Sequence, residues 1–190
     1  MRLFAASFLG PSNQRAYRQL TEDLSRCQPG LVRSVPDGTI HITFAFIPDV
    51  DEARLPALMT AVQQVSAVHH PIEIRLGPPR VQFGGASPRL VCADLIAGAE
   101  SMRRLTAHVA DRLAAVIPGA EVRASKSPHL TLARFRKHCT RGDARLVTRL
   151  AEEAVGLEIR DRVDRVALVA SVLTSRGPVY EVKGECPLGC

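Results

Sequence analysis

Two stretches of this chain alternate apolar and polar residues as half-buried strands do. Ile40, Ile42, Phe44 and Phe46 fall on one face of the first, with His41, Thr43 and Ala45 on the other. In the second, Leu130 and Leu132 oppose His129, Thr131 and Ala133. Each strand therefore presents one imidazole and one hydroxyl away from an apolar face.

The flanking pattern supplies the neighbouring elements. Met1 to Leu9 reads as a strand, and Gln14 to Cys27 carries Tyr17, Leu20 and Leu24 at helical spacing until Pro29 and Gly30 close it. A loop through Pro36, Asp37 and Gly38 leads into the first histidine strand, which Pro48 stops. Asp49 and Asp51 are N-cap candidates for a helix from about Glu52 to Val68. Ile72–Leu76 and Arg80–Phe83 predict two short strands of a hairpin around Gly77, Pro78 and Pro79. The series then begins again: a strand at Arg89–Leu95, a helix from about Gly98 to Ile117, and the second histidine strand. A helix from about Asp143 to Val155, a strand around Val163 to Leu173, and a hairpin through Ser175, Arg176, Gly177 and Pro178 complete it.

His129 lies 88 positions after His41, and Leu90 lies 87 after Leu3. The chain thus reads as one domain over 1–190, an internal duplication with approximate halves 1–86 and 87–184 and a tail at 185–190. The expected class is α+β: a bilobal arrangement of two antiparallel sheets facing across a central cleft, with helices on the outer faces. Packing about a pseudo-twofold axis would bring the two histidine faces together in that cleft.

Composition narrows the setting. A hydrophobic fraction of 46% over 190 residues supplies a core. The net charge of +6 rests almost wholly on arginine, the lysines being Lys126, Lys137 and Lys183, and is compatible with a polyanionic ligand such as RNA. No apolar run approaches the ~20 residues of a membrane span. The opening MRLFAASFLG resembles a short signal sequence but runs straight into polar residues, and is read as strand. Cys27, Cys92, Cys139, Cys186 and Cys190 are scattered, without a CxxC pair, so neither a disulfide framework nor a zinc site is expected, and a cytoplasmic location is. Cys186 and Cys190 sit in a Gly and Pro tail expected to fray.

The chemistry follows from the residue types. With an ordinary pKa of about 6.5, one imidazole can be neutral while another is protonated near neutrality. Two of them flanking a phosphorus suit in-line displacement at a phosphodiester, one removing a proton from water and the other protonating the departing oxygen. A threonine two residues along each strand shares its histidine's face, and its hydroxyl can donate to a nonbridging oxygen where charge accumulates.

These residues resemble the 2H phosphoesterases, named for two HxTx motifs, and within them the RNA 2′,3′-cyclic phosphodiesterases, also called the 2′-5′ RNA ligase family. The likeness runs through RLFAASFLGP, HITFAF, RLVCADL, SPHLTLARF and SVLTSRGPVYEV. Phe44 stands where the family commonly has lysine, and Thr39 and Ile40 stand where asparagine and leucine are usual. The resemblance implies a cleft with no metal and no cofactor, and hydrolysis of a terminal 2′,3′-cyclic phosphate to a 2′-phosphomonoester. It further implies His41 as proton donor to the leaving 3′ oxygen, His129 as the proton acceptor that activates water, and Thr43 and Thr131 as substrate-binding residues. The implied partners are RNA ends or nucleotides with a 2′,3′-cyclic phosphate, with no membrane and no obligate protein partner. The alternatives are 2′-5′ end joining at the same groove and a non-catalytic module that binds nucleotides or RNA ends.

Strict alternation places Arg134 on the face opposite His129, where a structural ion pair is expected, and puts Phe46 in the core. His69 and His70 adjoin Pro71 at a helix exit, as solvated or capping residues, and His108 lies mid-helix without a ligand partner at i+4. Arg123, Lys126, Arg136, Lys137 and Arg141 bracket the second motif as candidates for steering RNA.

Overall fold

The computed structural model describes residues 1–190 apart from 28–29, 37, 154–158, 175–176 and 190. The elements run β1 (Leu3–Phe8), α1 (Pro11–Cys27), β2 (Val32–Ser34), β3 (His41–Ile47), α2 (Leu55–Ala67), β4 (Ile72–Gly84), β5 (Ser87–Ala97) and α3 (Ala99–Val116). Then come β6 (Arg123–Ala124), β7 (His129–Phe135), α4 (Arg141–Glu153), β8 (Ile159–Val163), β9 (Arg165–Thr174) and β10 (Gly177–Pro187). The expected end of α4 at Val155 and the turn residues Ser175 and Arg176 lie outside the described residues.

The class is α+β, as the alternation predicts, but the strands form one curled antiparallel sheet. Its order is β10-β9-β1-β3-β7-β5-β4-β8, with β2 added to β7 and β6 added to β3. The two flanks join where Ile42 of β3 pairs with Leu130 of β7. The flanks are not the sequence halves: β4 lies beyond β5, while β9 and β10 return to lie beside β1. Each flank thereby borrows strands from the other half of the chain. The pairing also refines the repeat, since Phe4 partners Phe46 and Leu90 partners Arg134, an offset of 86 between β1 and β5.

One face of the sheet carries the main core. Leu3, Ala5, Ile42, Phe44, Leu130 and Leu132 pack there against Tyr17 and Leu24 of α1, Leu58 and Val65 of α2, and Met102 and Leu113 of α3. The amphipathic spacing of each helix supplies its buried stripe. Asp51 caps the helical turn that precedes α2 by accepting the Ala53 N–H at 3.0 Å. Gly98 opens α3 at φ 77°, where a Cβ would come within 2.5 Å of the Glu73 carbonyl oxygen, so only glycine fits. On the opposite face Phe4, Ala6, Ala167 and Val169 form a second cluster with Phe8, Phe46 and Tyr180.

Three expectations are corrected here. Ile72 to Phe83 is not a hairpin but one strand, which pairs with β8 through its first part and β5 through the rest. Pro78 is tolerated because it falls in the slip of the β4–β5 register between Leu76 and Pro79, and Pro79 re-enters the ladder opposite Ala93. Up to Gly189 the tail does not fray, since Cys186 and Leu188 are buried and the N–H groups of Leu188 and Gly189 donate to Asp164 and Ser66 carbonyls; Cys190 lies outside the described residues. The segment before the first histidine strand contains β2, a short strand along β7.

Ile42 and Leu130 are wholly buried at the junction of the flanks. Leu130→Ala is expected to destabilise the protein by about 3 kcal/mol in urea denaturation, through lost burial and the cavity left behind. Val68→Ala, at an exposed position, should change stability by under about 0.5 kcal/mol.

Candidate active site

The pairing of Ile42 with Leu130 sets the geometry of the four motif residues. In an antiparallel register it places His41 opposite Thr131 and Thr43 opposite His129, on the face away from the core. Each histidine is fixed the same way: Nδ1 of His41 donates to the Thr39 carbonyl at 2.6 Å, and Nδ1 of His129 to the Ser127 carbonyl at 2.8 Å. A carbonyl only accepts, so Nδ1 carries the proton and Nε2 is left as the nitrogen available to a ligand. Neither Thr43 nor Thr131 has a hydroxyl partner among the described residues.

A β-bulge follows each motif. The β1–β3 partners pass from Ala5 with Ala45 to Ala6 with Thr43, leaving Phe44 as the extra residue. The β5–β7 partners pass from Val91 with Ala133 to Cys92 with Thr131, leaving Leu132 as the extra residue. One inserted residue shifts the alternation by one place. Two consecutive residues then face the core, Phe44 with Ala45 and Leu132 with Ala133, all buried, and the next residue turns to the cleft. This corrects both expectations from strict alternation. Phe46 leaves the core for the cluster around Phe4, and Arg134 stands over the site instead of in an ion pair on the far face.

Two adjoining hollows, of about 280 and 310 Å³, share His41, Thr43, Arg134, Pro178 and Tyr180. The first extends past Thr131 to Arg33 and Pro36, the second past Phe46 to Arg2. His129 does not line either hollow but stands beside them, half-buried, near enough that its charge bears on His41. Arg2, Arg33, Phe4 and Tyr180 escaped the sequence reading, because only the fold carries β1, β2 and β10 to the histidines. A basic residue inside an isolated three-residue strand gives no signal of its own.

The basic residues expected to steer RNA line neither hollow. Arg123 is held by Glu121 through paired bonds of 2.5 and 2.8 Å, and Arg141 lies over Phe83, 5.9 Å from the ring centre. His69 and His108 hydrogen-bond to each other at 3.0 Å between Nε2 and Nδ1, away from these hollows. Among the described residues no three His, Cys, Asp or Glu side chains cluster as metal ligands would.

The comparisons agree with this architecture. Residues 8–173 match the family model of the 2′-5′ RNA ligase superfamily. The chain belongs to that superfamily. An RNA 2′,3′-cyclic phosphodiesterase from Thermus thermophilus is 31% identical, over 96% of this chain and 87% of the relative. One of the same name from Aquifex aeolicus is 30% identical over 79% of this chain and 78% of the relative. The crystal structure of TT0787 of Thermus thermophilus superposes with a TM-score of 0.78 at 25% identity, covering 99% of this chain and 98% of that one. E. coli LigT complexed with 3′-AMP shares the fold, with a TM-score of 0.72 at 19% identity over 98% of this chain and 97% of that one.

In this superfamily member the two histidines sit in different surroundings. Phe4 stacks on the His41 ring at 4.8 Å between centroids, and Phe8 and Tyr180 meet it edge-on at 5.6 Å. That casing removes water, and burial pushes the His41 pKa down to about 4. The Thr39 carbonyl opposes the shift, while Arg134 and His129 add to it. The free protein therefore holds His41 neutral at pH 7. Across the other flank the residue paired with His129 is Asp94, whose carboxylate is engaged by Arg80.

Because the folded pKa of His41 lies below the unfolded value of about 6.5, protons favour the unfolded chain between the two. The stabilisation is complete above pH ~6.5 and is lost as the pH falls toward 4, by up to about 3 kcal/mol. Unfolding curves should show this loss in the parent protein and a flatter profile in His41→Asn, whose amide keeps a donor toward the Thr39 carbonyl.

Proposed function

We propose that this chain hydrolyses the terminal 2′,3′-cyclic phosphate of RNA to a 2′-phosphomonoester, with the two histidines moving the protons. The observation that carries the reading is the convergence of both HxT faces. His41, with Nδ1 tied to a carbonyl and Nε2 available, lines the cleft with the Arg134 guanidinium and the Thr43 and Thr131 hydroxyls, unpartnered among the described residues, and His129, tied in the same way, stands beside it on the paired strand. The names of the 30–31% identical relatives supply the substrate class.

Water attacks phosphorus while His129 Nε2 takes its proton. The P–O3′ bond breaks, and His41 Nε2 gives a proton to the departing oxygen, leaving a 3′-hydroxyl and a 2′-phosphate. Each transfer is worth ~10² to 10⁴ in rate. Thr43 and Thr131 donate to nonbridging oxygens as charge builds on them, and Arg134 takes two oxygens with its planar fork. In the free protein His41 is neutral, so its role as donor requires the phosphodiester anion. Negative charge seated between His41 and Arg134 offsets the burial penalty and brings the proton onto the ring.

A second reading exchanges the roles, and the neutral state of His41 favours it. The two separate on a cyclic substrate with sulfur at the 3′ position, whose thiolate departs without a proton. Such a substrate should restore turnover to His41→Ala if His41 is the acid, and to His129→Ala if the roles are exchanged.

With a nucleoside 2′,3′-cyclic phosphate and EDTA present, turnover should persist. His41→Ala and His129→Ala should each lose at least about 10³-fold in kcat, and Thr43→Ala about 10-fold or more. The pH profile should be bell-shaped, since one ring must be charged and the other neutral. Full activity in either histidine variant would falsify the two-histidine chemistry.

A further inference from the structure

Arg33 and Arg134 are paired directly across β2 and β7, and both line the hollow that contains His41. Residues so paired have Cβ atoms about 5 Å apart on the same side of the sheet, and like charges there are destabilising. Neither arginine has a carboxylate partner among the described residues, and no carboxylate lines either hollow of the site. The repulsion therefore stands uncompensated within the described protein.

The duplication supplies an internal comparison. β6 lies along β3 as β2 lies along β7, and its Arg123 is paired with Phe46, the counterpart of Arg134. Two residues before Arg123 stands Glu121, which neutralises it with two hydrogen bonds. Two residues before Arg33 stands Leu31, packed against the core. One flank has a balanced arginine beside an aromatic ring, and the other has two arginines side by side.

The backbone under Arg33 is held firmly. Val32 is buried, the Val35 N–H donates to the Leu132 carbonyl at 3.2 Å, and the Arg136 N–H donates to the Leu31 carbonyl at 2.8 Å. Arg33 is thus fixed to the same strand that carries His129, Thr131 and Arg134.

We infer that Arg33 binds the phosphate on the 5′ side of the terminal nucleoside, while Arg134 engages the cyclic phosphate at the reacting end. This deepens the cyclic phosphodiesterase reading and rests on it: the preferred substrate class is an oligoribonucleotide end, not a nucleoside cyclic phosphate. Two arginines at adjacent cross-strand positions can each take one of two consecutive phosphates, and the polyanion relieves the repulsion between them. Arg33 touches no reacting atom and acts as a specificity residue.

The test compares Arg33→Gln with the parent protein on three substrates: adenosine 2′,3′-cyclic phosphate, its 5′-phosphorylated form, and the dinucleotide ending in the same cyclic phosphate. The parent should prefer the dinucleotide over the nucleoside cyclic phosphate in kcat/KM, and Arg33→Gln should reduce that ratio about tenfold, mainly through KM. Arg33→Lys should recover part of it, and Arg145→Gln, a distant basic control on α4, should keep the parent ratio. If the 5′-phosphorylated mononucleotide behaves like the dinucleotide, any 5′ phosphate satisfies Arg33; if it behaves like the nucleoside, the diester is required. The unfolding temperature of Arg33→Gln at low salt should rise, because a like-charge contact is gone. A ratio within twofold of the parent overturns the assignment, as does an equal loss on all three substrates. Calorimetric titration of the products, adenosine 2′-monophosphate and the dinucleotide 2′-phosphate, gives the same ratio without turnover. A parent protein that hydrolyses none of the three therefore refutes the proposed reaction, while the binding ratio still decides the role of Arg33.

Discussion

The contact between Ile42 and Leu130 is the narrowest point of the structure and the one on which the site depends. Elsewhere neighbouring strands of the main path share ladders of several residues, but among the described residues the ladder between β3 and β7 is this one pair. Both side chains are wholly buried in the helix-covered core. Burying two large aliphatic side chains contributes roughly 3 to 6 kcal/mol, and because side chains alternate across a strand, the same burial turns His41, Thr43, His129 and Thr131 outward together. A slip of one residue at this seam would exchange the faces and bury the imidazoles. Core packing and site assembly are the same event.

The bulges at Phe44 and Leu132 extend that logic by one turn of the pleat. Each puts two successive residues into the core, which strengthens the apolar face, and returns the following side chain to the cleft. The twin positions then diverge: an aromatic ring at Phe46 and a guanidinium at Arg134. Equivalent positions on the two flanks thus carry unequal chemistry. His41 is enclosed by Phe4, Phe8 and Tyr180, while the β5 residue opposite His129 is Asp94. The proposed reaction calls for two protonation states side by side, and unequal surroundings are how two identical side chains come to differ.

Much of this was readable from residue order. The alternation around both histidines, the helix stripe of Tyr17, Leu20 and Leu24, and the 88-position spacing of the two motifs all report on contacts close in sequence, or on a pattern that any core must satisfy. The misreadings share another cause. Pro78 and Pro79 look like a turn until a register slip in β4, one residue longer there than β5, carries the strand through them. Cys186 and Leu188 look frayed until α2 and the β8–β9 turn give the tail something to dock on. Phe46 and Arg134 look misdirected until the partner strands show one residue fewer than the motif strands.

The amino-acid order by itself determined the class of fold and the pair of His and Thr faces, because periodicity of side chains and the chemistry of an imidazole are local properties. The tertiary structure alone decided that the flanks exchange strands, that bulges deliver Phe46 and Arg134 to the cleft, that aromatic rings lower the proton affinity of His41, and that Arg33 lies beside Arg134. Those outcomes are set by which strand pairs with which and in what register, and pairing energy is a sum over residues far apart in the chain that no single stretch encodes.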